Sequence, residues 1–199
     1  MEKNSHWITK IIPQICESLS LDIQGSPPPF PLGEVIQTLK ASLNFQNLSI
    51  QIDKMEFITK DKFYHGFEAK NIFTSIKMSP LNEDIHLIVG ISDIHKLIPY
   101  MIEEDDQENT VLSIKNESIT KGLYTYFITE VIDAIVQTDV YRDFSIKMSD
   151  AQITALSAYS IDLSVKVQND TIHARILVPN KMYKDFHAHY TFIEPTLEN

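Results

Sequence analysis

Internal disulfides are excluded at once, because the sequence holds a single cysteine, Cys16. A lone thiol fits a reducing compartment. Glycine is nearly as scarce, with five residues in 199. That leaves little material for a backbone cradle around a phosphate, and neither a GxSxG elbow nor an HExxH helix occurs. Basic residues are outnumbered, 17 against 27 acidic, for a formal charge of −10. Such a chain repels nucleic acid and anionic lipid and favours basic partners. No apolar run approaches the about 20 residues of a membrane-spanning helix. The N-terminus MEKNSHWITKIIPQICESL also lacks the apolar stretch of a secretory signal. These absences point to a cytoplasmic protein with no nucleic-acid partner and no insertion in a membrane. What is present is a globular composition, 43% hydrophobic and 10% aromatic, enough to build a core.

Hydrophobic periodicity divides the chain. Residues 1–25 carry an N-terminal helix, since Trp7, Ile8, Ile11, Ile12, Ile15 and Leu19 recur at helical spacing, with Pro13 in the first turn or at a kink. Cys16 shares a face with Ile12, Ile15 and Leu19 and reads as a small buried hydrophobe rather than a nucleophile. The prolines of GSPPPFP make 26–31 a stiff extended connector. An α+β domain follows over 32–190, in two repeated halves of about 32–110 and 111–190, and 191–199 is a tail.

Within the domain, Pro31 suits the first turn of a helix whose Leu32, Val35, Ile36, Leu39 and Leu43 form an apolar stripe. From Leu48 the period changes to two, predicting a strand with Ile50 and Ile52 inward, then strands around 54–60, 66–78 and 85–91. Ser92 reads as the N-cap of a helix bearing Ile94, Leu97, Ile98, Met101 and Ile102, kinked by Pro99. A long helix over 118–137 presents Leu123, Tyr124, Phe127, Ile128, Val131, Ile132 and Ile135 to a core. After FSIKMSD, the alternation of Ile161, Leu163, Val165 and Val167, and then of Ile172, Ala174, Ile176 and Val178, predicts a hairpin turning at Asn169-Asp170. Pro179 ends its second strand, and Met182, Tyr183 and Phe186 pack a short helix or turn. The expected architecture is antiparallel or mixed sheet regions with packed helices.

Candidate chemistry is sparse. Glu130 and Asp133, three residues apart on the long helix, share a face, but the apolar set opposite them directs both to water. Asp185, His187 and His189 are ligand types that zinc uses, yet they lack a supporting cysteine pair, and His86, Asp93 and His95 are a weaker set. No metal, cofactor or catalytic residue is assigned. The acidic run Glu103, Glu104, Asp105, Asp106 and Glu108 follows a helix C-terminus, a poor place for negative charge, and so reads as a solvated loop or a docking site for a basic partner.

Three segments in order carry a family resemblance. HLIVGISDIHKLIPYMI is similar to the strand and small helix of bacterial type III secretion cytoplasmic ring proteins, the SctQ-like proteins of the sorting platform, which are related to flagellar switch proteins. SITKGLYTYFITEVIDAIV resembles their next long helix, and YSIDLSVKVQNDTIHARILVPNKMYKDF their closing hairpin. The likeness covers roughly residues 30–190 and implies a fold like the CheC/FliM middle domain. CheC-type phosphatases of the same superfamily carry Glu, then Asn three residues later, on the active helix. Glu130 matches the first, but Asp133 replaces the amide and Tyr126 stands where an acid or serine is expected. Without the amide to hold water, and with an added charge repelling phosphate, the substitution argues against that chemistry.

The resemblance therefore implies a non-enzymatic assembly module of the secretion platform, corresponding to the N-terminal domain of a ring protein whose C-terminal dimerising modules have no counterpart after Pro179. Implied partners are adaptor, stator and ring subunits and chaperone–effector complexes, at the inner membrane only through the secretion complex. Two alternative readings stand beside it: a CheC-like phosphatase relative, on Glu130 and Asp133, and a secretion chaperone or effector-binding protein, which small size and acidity permit.

Overall fold

A computed structural model describes residues 32–67, 70–101, 117–182 and 185. The expected helix of 1–25 with Cys16, the connector 26–31, the acidic run 103–108, Tyr183, Phe186, His187, His189 and the tail 191–199 lie outside the described residues.

The elements are α1 (Leu32–Ser42), β1 (Leu48–Thr59), β2 (Asn71–Ser79), β3 (Asp84–Gly90), α2 (Ile91–Met101), α3 (Glu117–Val136), β4 (Ser145–Ser149), β5 (Ser157–Val167) and β6 (Asp170–Pro179). The strands join in one six-stranded sheet, in the order β1-β5-β6-β3-β2-β4. Every neighbouring pair is antiparallel. Exchanging β1 with β4, β2 with β5 and β3 with β6 reverses this order into itself. The expected α+β class, antiparallel sheet with packed helices, is what the chain adopts.

Local chemistry sets the ends of the elements. In α1, Glu34 in the first turn and Lys40 in the last oppose the helix dipole favourably, and Asn44 at φ 53 takes the left-handed conformation that stops the helix. Pro99 lies inside α2, which begins at Ile91, just ahead of the expected Ser92 cap. The segments expected as two strands at 48–53 and 54–60 form one 12-residue strand with a bulge between Ile52 and Lys54. An extra residue there, within the polar pair Asp53-Lys54, reverses which side chains face the core. The closing hairpin is present with its turn one residue early. Val167 pairs with Asp170, so Gln168 and Asn169 make the turn, with Gln168 at φ 54.

One sheet face carries the helices. Val35 and Leu39 of α1, Ile94, Leu97 and Ile98 of α2, and Tyr124, Ile128 and Ile132 of α3 are buried against Leu48, Val89, Val167, Ile172 and Ala174. Each such aliphatic side chain contributes about 1.5–3 kcal/mol by leaving water. The opposite face is not left wet. Phe63 and Phe67, just past a single helical turn at Lys60–Lys62, and Ile153 lie on Ile58, Phe73, Ile88, Ala158 and Leu177. A third cluster of Met78, Leu81, Tyr141, Phe144 and Met182 closes the β4 end.

Candidate functional site

The helix-free face of the sheet holds the most concentrated polar chemistry. The β3–β6 ladder runs from His86↔Leu177 to Val89↔Ala174. Beyond it the chain of β3 turns into α2, and the next β6 donor, the His173 N–H, is taken by Asp93 Oδ2 at 3.0 Å. Asp93 is buried, and its Oδ1 accepts from Lys96 Nζ at 2.5 Å. An open cleft of about 590 Å³ lies there, between the Gly66-Phe67 turn and the start of α2. Its charged lining alternates Lys54, Lys96 and Arg175 with Asp53, Asp93 and Asp162.

Arg175 is the anchor of this region. It lies 8% exposed, and its guanidinium grips Asp162 with two bonds, Nε to Oδ1 at 2.6 Å and Nη2 to Oδ2 at 2.9 Å. Nη1 donates to the carbonyls of Lys62, Phe63 and His65 at 3.3, 3.1 and 2.9 Å, and the group lies 5.1 Å over the Phe67 ring. A buried cation thus satisfies three turn carbonyls and a carboxylate together. Burial pushes the Asp162 carboxyl up, but the bonds and charge of Arg175, with Ser160 and Lys54, outweigh it and hold the group below the usual carboxylate range. Nearby, Ser164 Oγ donates to Asp53 Oδ2 at 2.5 Å and lies 3.3 Å from His173 Nδ1. Every charged group lining the cleft except Asp53 has an opposite charge on its side chain. Asp53 takes a hydroxyl instead, so the cleft holds no preorganised surplus of one sign for an ionic substrate.

No protein-family model matches the sequence, and no curated protein matches it significantly. Solved structures do share its architecture. FliM in the FliM–SpeE complex from H. pylori superposes with a TM-score of 0.66 at 11% identity, over 98% of this chain and 100% of that one. FliM in the FliG–FliM complex from H. pylori gives 0.61 at 12% identity, over 79% and 91%. FliY from Thermotoga maritima gives 0.57 at 9% identity, over 81% and 90%. The fold is that of the FliM middle domain.

On this FliM-like frame the residues singled out in the sequence fall apart from one another. Asp133 is exposed and Glu130 half-buried on α3, and neither lines the cleft. His86 is buried, 2.9 Å from Ser75 Oγ through Nδ1 and stacked on Phe73 with ring centroids 5.2 Å apart. Burial holds its imidazole below the ordinary value, against a smaller opposing effect of Asp84. His95 bonds instead to Thr120 of α3 at 3.2 Å, and Asp93 serves Lys96 and β6. Asp185 faces Asn82, with 3.4 Å between Nδ2 and Oδ2. Among the described residues no three His, Cys, Asp or Glu side chains gather as a metal site. No helix among them is long and apolar enough to cross a membrane.

Asp162, His173 and Arg175 carry no signal of their own in the sequence, because each stands on the polar side of a strand alternation. Their register was nonetheless present in the sequence. Asp162 and Arg175 are equidistant from the hairpin turn and therefore directly opposed.

Proposed function

We propose that this chain is a non-enzymatic assembly module of a type III secretion cytosolic sorting platform, acting in the cytoplasm through protein surfaces and without a cofactor. The observation that carries the reading is the FliM-middle-domain fold over nearly the whole chain. The segments that resemble secretion ring proteins supply the β3–α2 unit, α3 and the β5–β6 hairpin of that fold. Two of the FliM structures are complexes, with FliG and with SpeE. By extension this chain engages protein partners, here the adaptor, stator and ring subunits and chaperone–effector complexes of the platform. Site chemistry agrees, because Glu130 and Asp133 stand on α3 away from the cleft and the charges of the cleft neutralise one another.

Within this proposal the acidic run Glu103, Glu104, Asp105, Asp106 and Glu108 docks a basic partner surface, an interaction that weakens with salt. The test is capture of purified platform subunits by the whole chain, with a variant carrying Gln and Asn across 103–108. Capture of an adaptor or stator subunit, reduced in the variant and at high salt, supports both parts. Failure to capture any platform subunit overturns the assembly role. Phosphate release from a phosphorylated response regulator that is lost on Glu130→Ala would replace it with a phosphatase.

A further inference from the structure

The two edges of the sheet are built very differently. β4 is five residues long, the short edge expected of a sheet that discourages strand addition. β1, the other edge, is 12 residues long, and among the described residues only β5 pairs with it. Its second half, after the bulge, reads KMEFIT and carries one cation and one anion on the same face, Lys54 and Glu56. Next to the Thr59 end lies Leu156, a large apolar side chain 78% exposed. Its carbonyl accepts the Lys60 N–H at 2.9 Å, continuing the β1–β5 ladder on the side of β1 away from the open edge.

We propose that the β1 edge pairs antiparallel with the β1 edge of a second copy of this chain, joining two six-stranded sheets into one. Antiparallel pairing centred on Met55 sets each Lys54 directly across from Glu56 of the other copy, on one face of the sheet. Opposite charges at directly opposed positions favour this register, and like charges would disfavour it. The same two residues already form an ion pair within one chain at 2.7 Å, so pairing arranges four charges of alternating sign. On the other face, half-buried Met55 meets its own copy. Backbone bonds of the added ladder supply the attraction, and the charges fix the register. Self-complementarity identifies a second copy as the occupant, since any foreign strand would need its own matching pattern.

Charge reversal tests this. The whole chain is followed by sedimentation and light scattering through a concentration series into the millimolar range, and dimer is expected. Lys54→Glu alone, or Glu56→Lys alone, sets like charges across both contacts and weakens dimerisation on the order of tenfold. An equimolar mixture of the two single variants restores complementarity, so heterodimer forms at wild-type strength. The double variant K54E/E56K restores the homodimer. Both side chains are exposed, 59% and 40%, so neither reversal disturbs the core, and circular dichroism verifies that each variant folds. A wild-type chain that remains monomeric throughout, a dimer indifferent to either reversal, or a mixture no stronger than its components overturns the proposal. A dimer displaced by a foreign strand while insensitive to the reversals does the same.

Discussion

Replacing Arg175 with Met tests the packing of the helix-free face most directly. The substitution keeps an apolar stem of similar length and removes the guanidinium. Asp162 then loses both of its charge-assisted bonds, and the carbonyls of Lys62, Phe63 and His65 lose their donor. Breaking one partner out of a buried ion pair costs about 3–5 kcal/mol. The Asp162 side chain keeps 26% exposure and Arg175 10%, which places the loss at the lower end, about 3 kcal/mol. For a domain of this size that corresponds to a fall of about 6–12 °C in Tm. Urea unfolding measures it as a lower midpoint at constant slope. Amide exchange over 60–67 accelerates at the same time, since that turn is held by the guanidinium. The pH dependence changes as well. In the wild type the Asp162 carboxyl is held low, so its contribution is complete above the unfolded pKa and is lost as the pH falls through the folded value. In Arg175→Met burial is opposed only by Ser160 and Lys54, so the carboxyl moves upward and that acid-linked loss shrinks. Adding Asp162→Leu removes the stranded charge and recovers part of the stability. A loss below about 1 kcal/mol, or a double variant no more stable than the single one, refutes the account.

Three further outcomes follow from the same structure. His86 is held below the ordinary histidine value of 6.5 by burial, so stability is greatest above pH 6.5 and falls as the pH drops toward the folded pKa; unfolding of His86→Phe across that range shows a flatter profile. Burial pushes the Tyr124 hydroxyl up to about 12, with the Thr74 bond opposing it, so stability is intact below pH 10 and is lost as the pH rises toward 12. Ultraviolet titration finds this late-ionising tyrosine and loses it in Tyr124→Phe, which costs about 1 kcal/mol through the 2.8 Å bond to Thr74. Ile98→Ala, at a fully buried position of α2, costs about 2–5 kcal/mol in urea unfolding, whereas Asp133→Ala on the exposed side of α3 stays within about 0.5 kcal/mol.

Most elements were legible because their apolar residues obey one period. The β5–β6 hairpin alternates almost without exception, and α1 and α3 repeat at helical spacing. β1 was less legible, since a bulge at Asp53 reverses its phase and a period-two reading divides the strand there. The helix-free face was the part least visible. Alternation says which side of a strand is apolar, and Asp162, Arg175, Ser75 and His86 lie on or beside its polar side. That this side is also covered, by Phe63, Phe67 and Ile153, depends on segments with no period of their own. The same blindness explains His86 and His95, whose residue types suggest a metal but whose partners are Ser75 and Thr120.

The strand order bears on what a broken backbone would do to this molecule. β1 bonds to β5, β2 to β4 and β3 to β6, while only β2–β3 and β5–β6 join strands from the same side of α2. A protease cut between α2 and α3 would leave two fragments clasped like interlaced fingers, each holding more of the other's edges than its own. Such a nicked chain would still elute as one body and melt in one step, and neither fragment made alone would have a finished sheet to fold into.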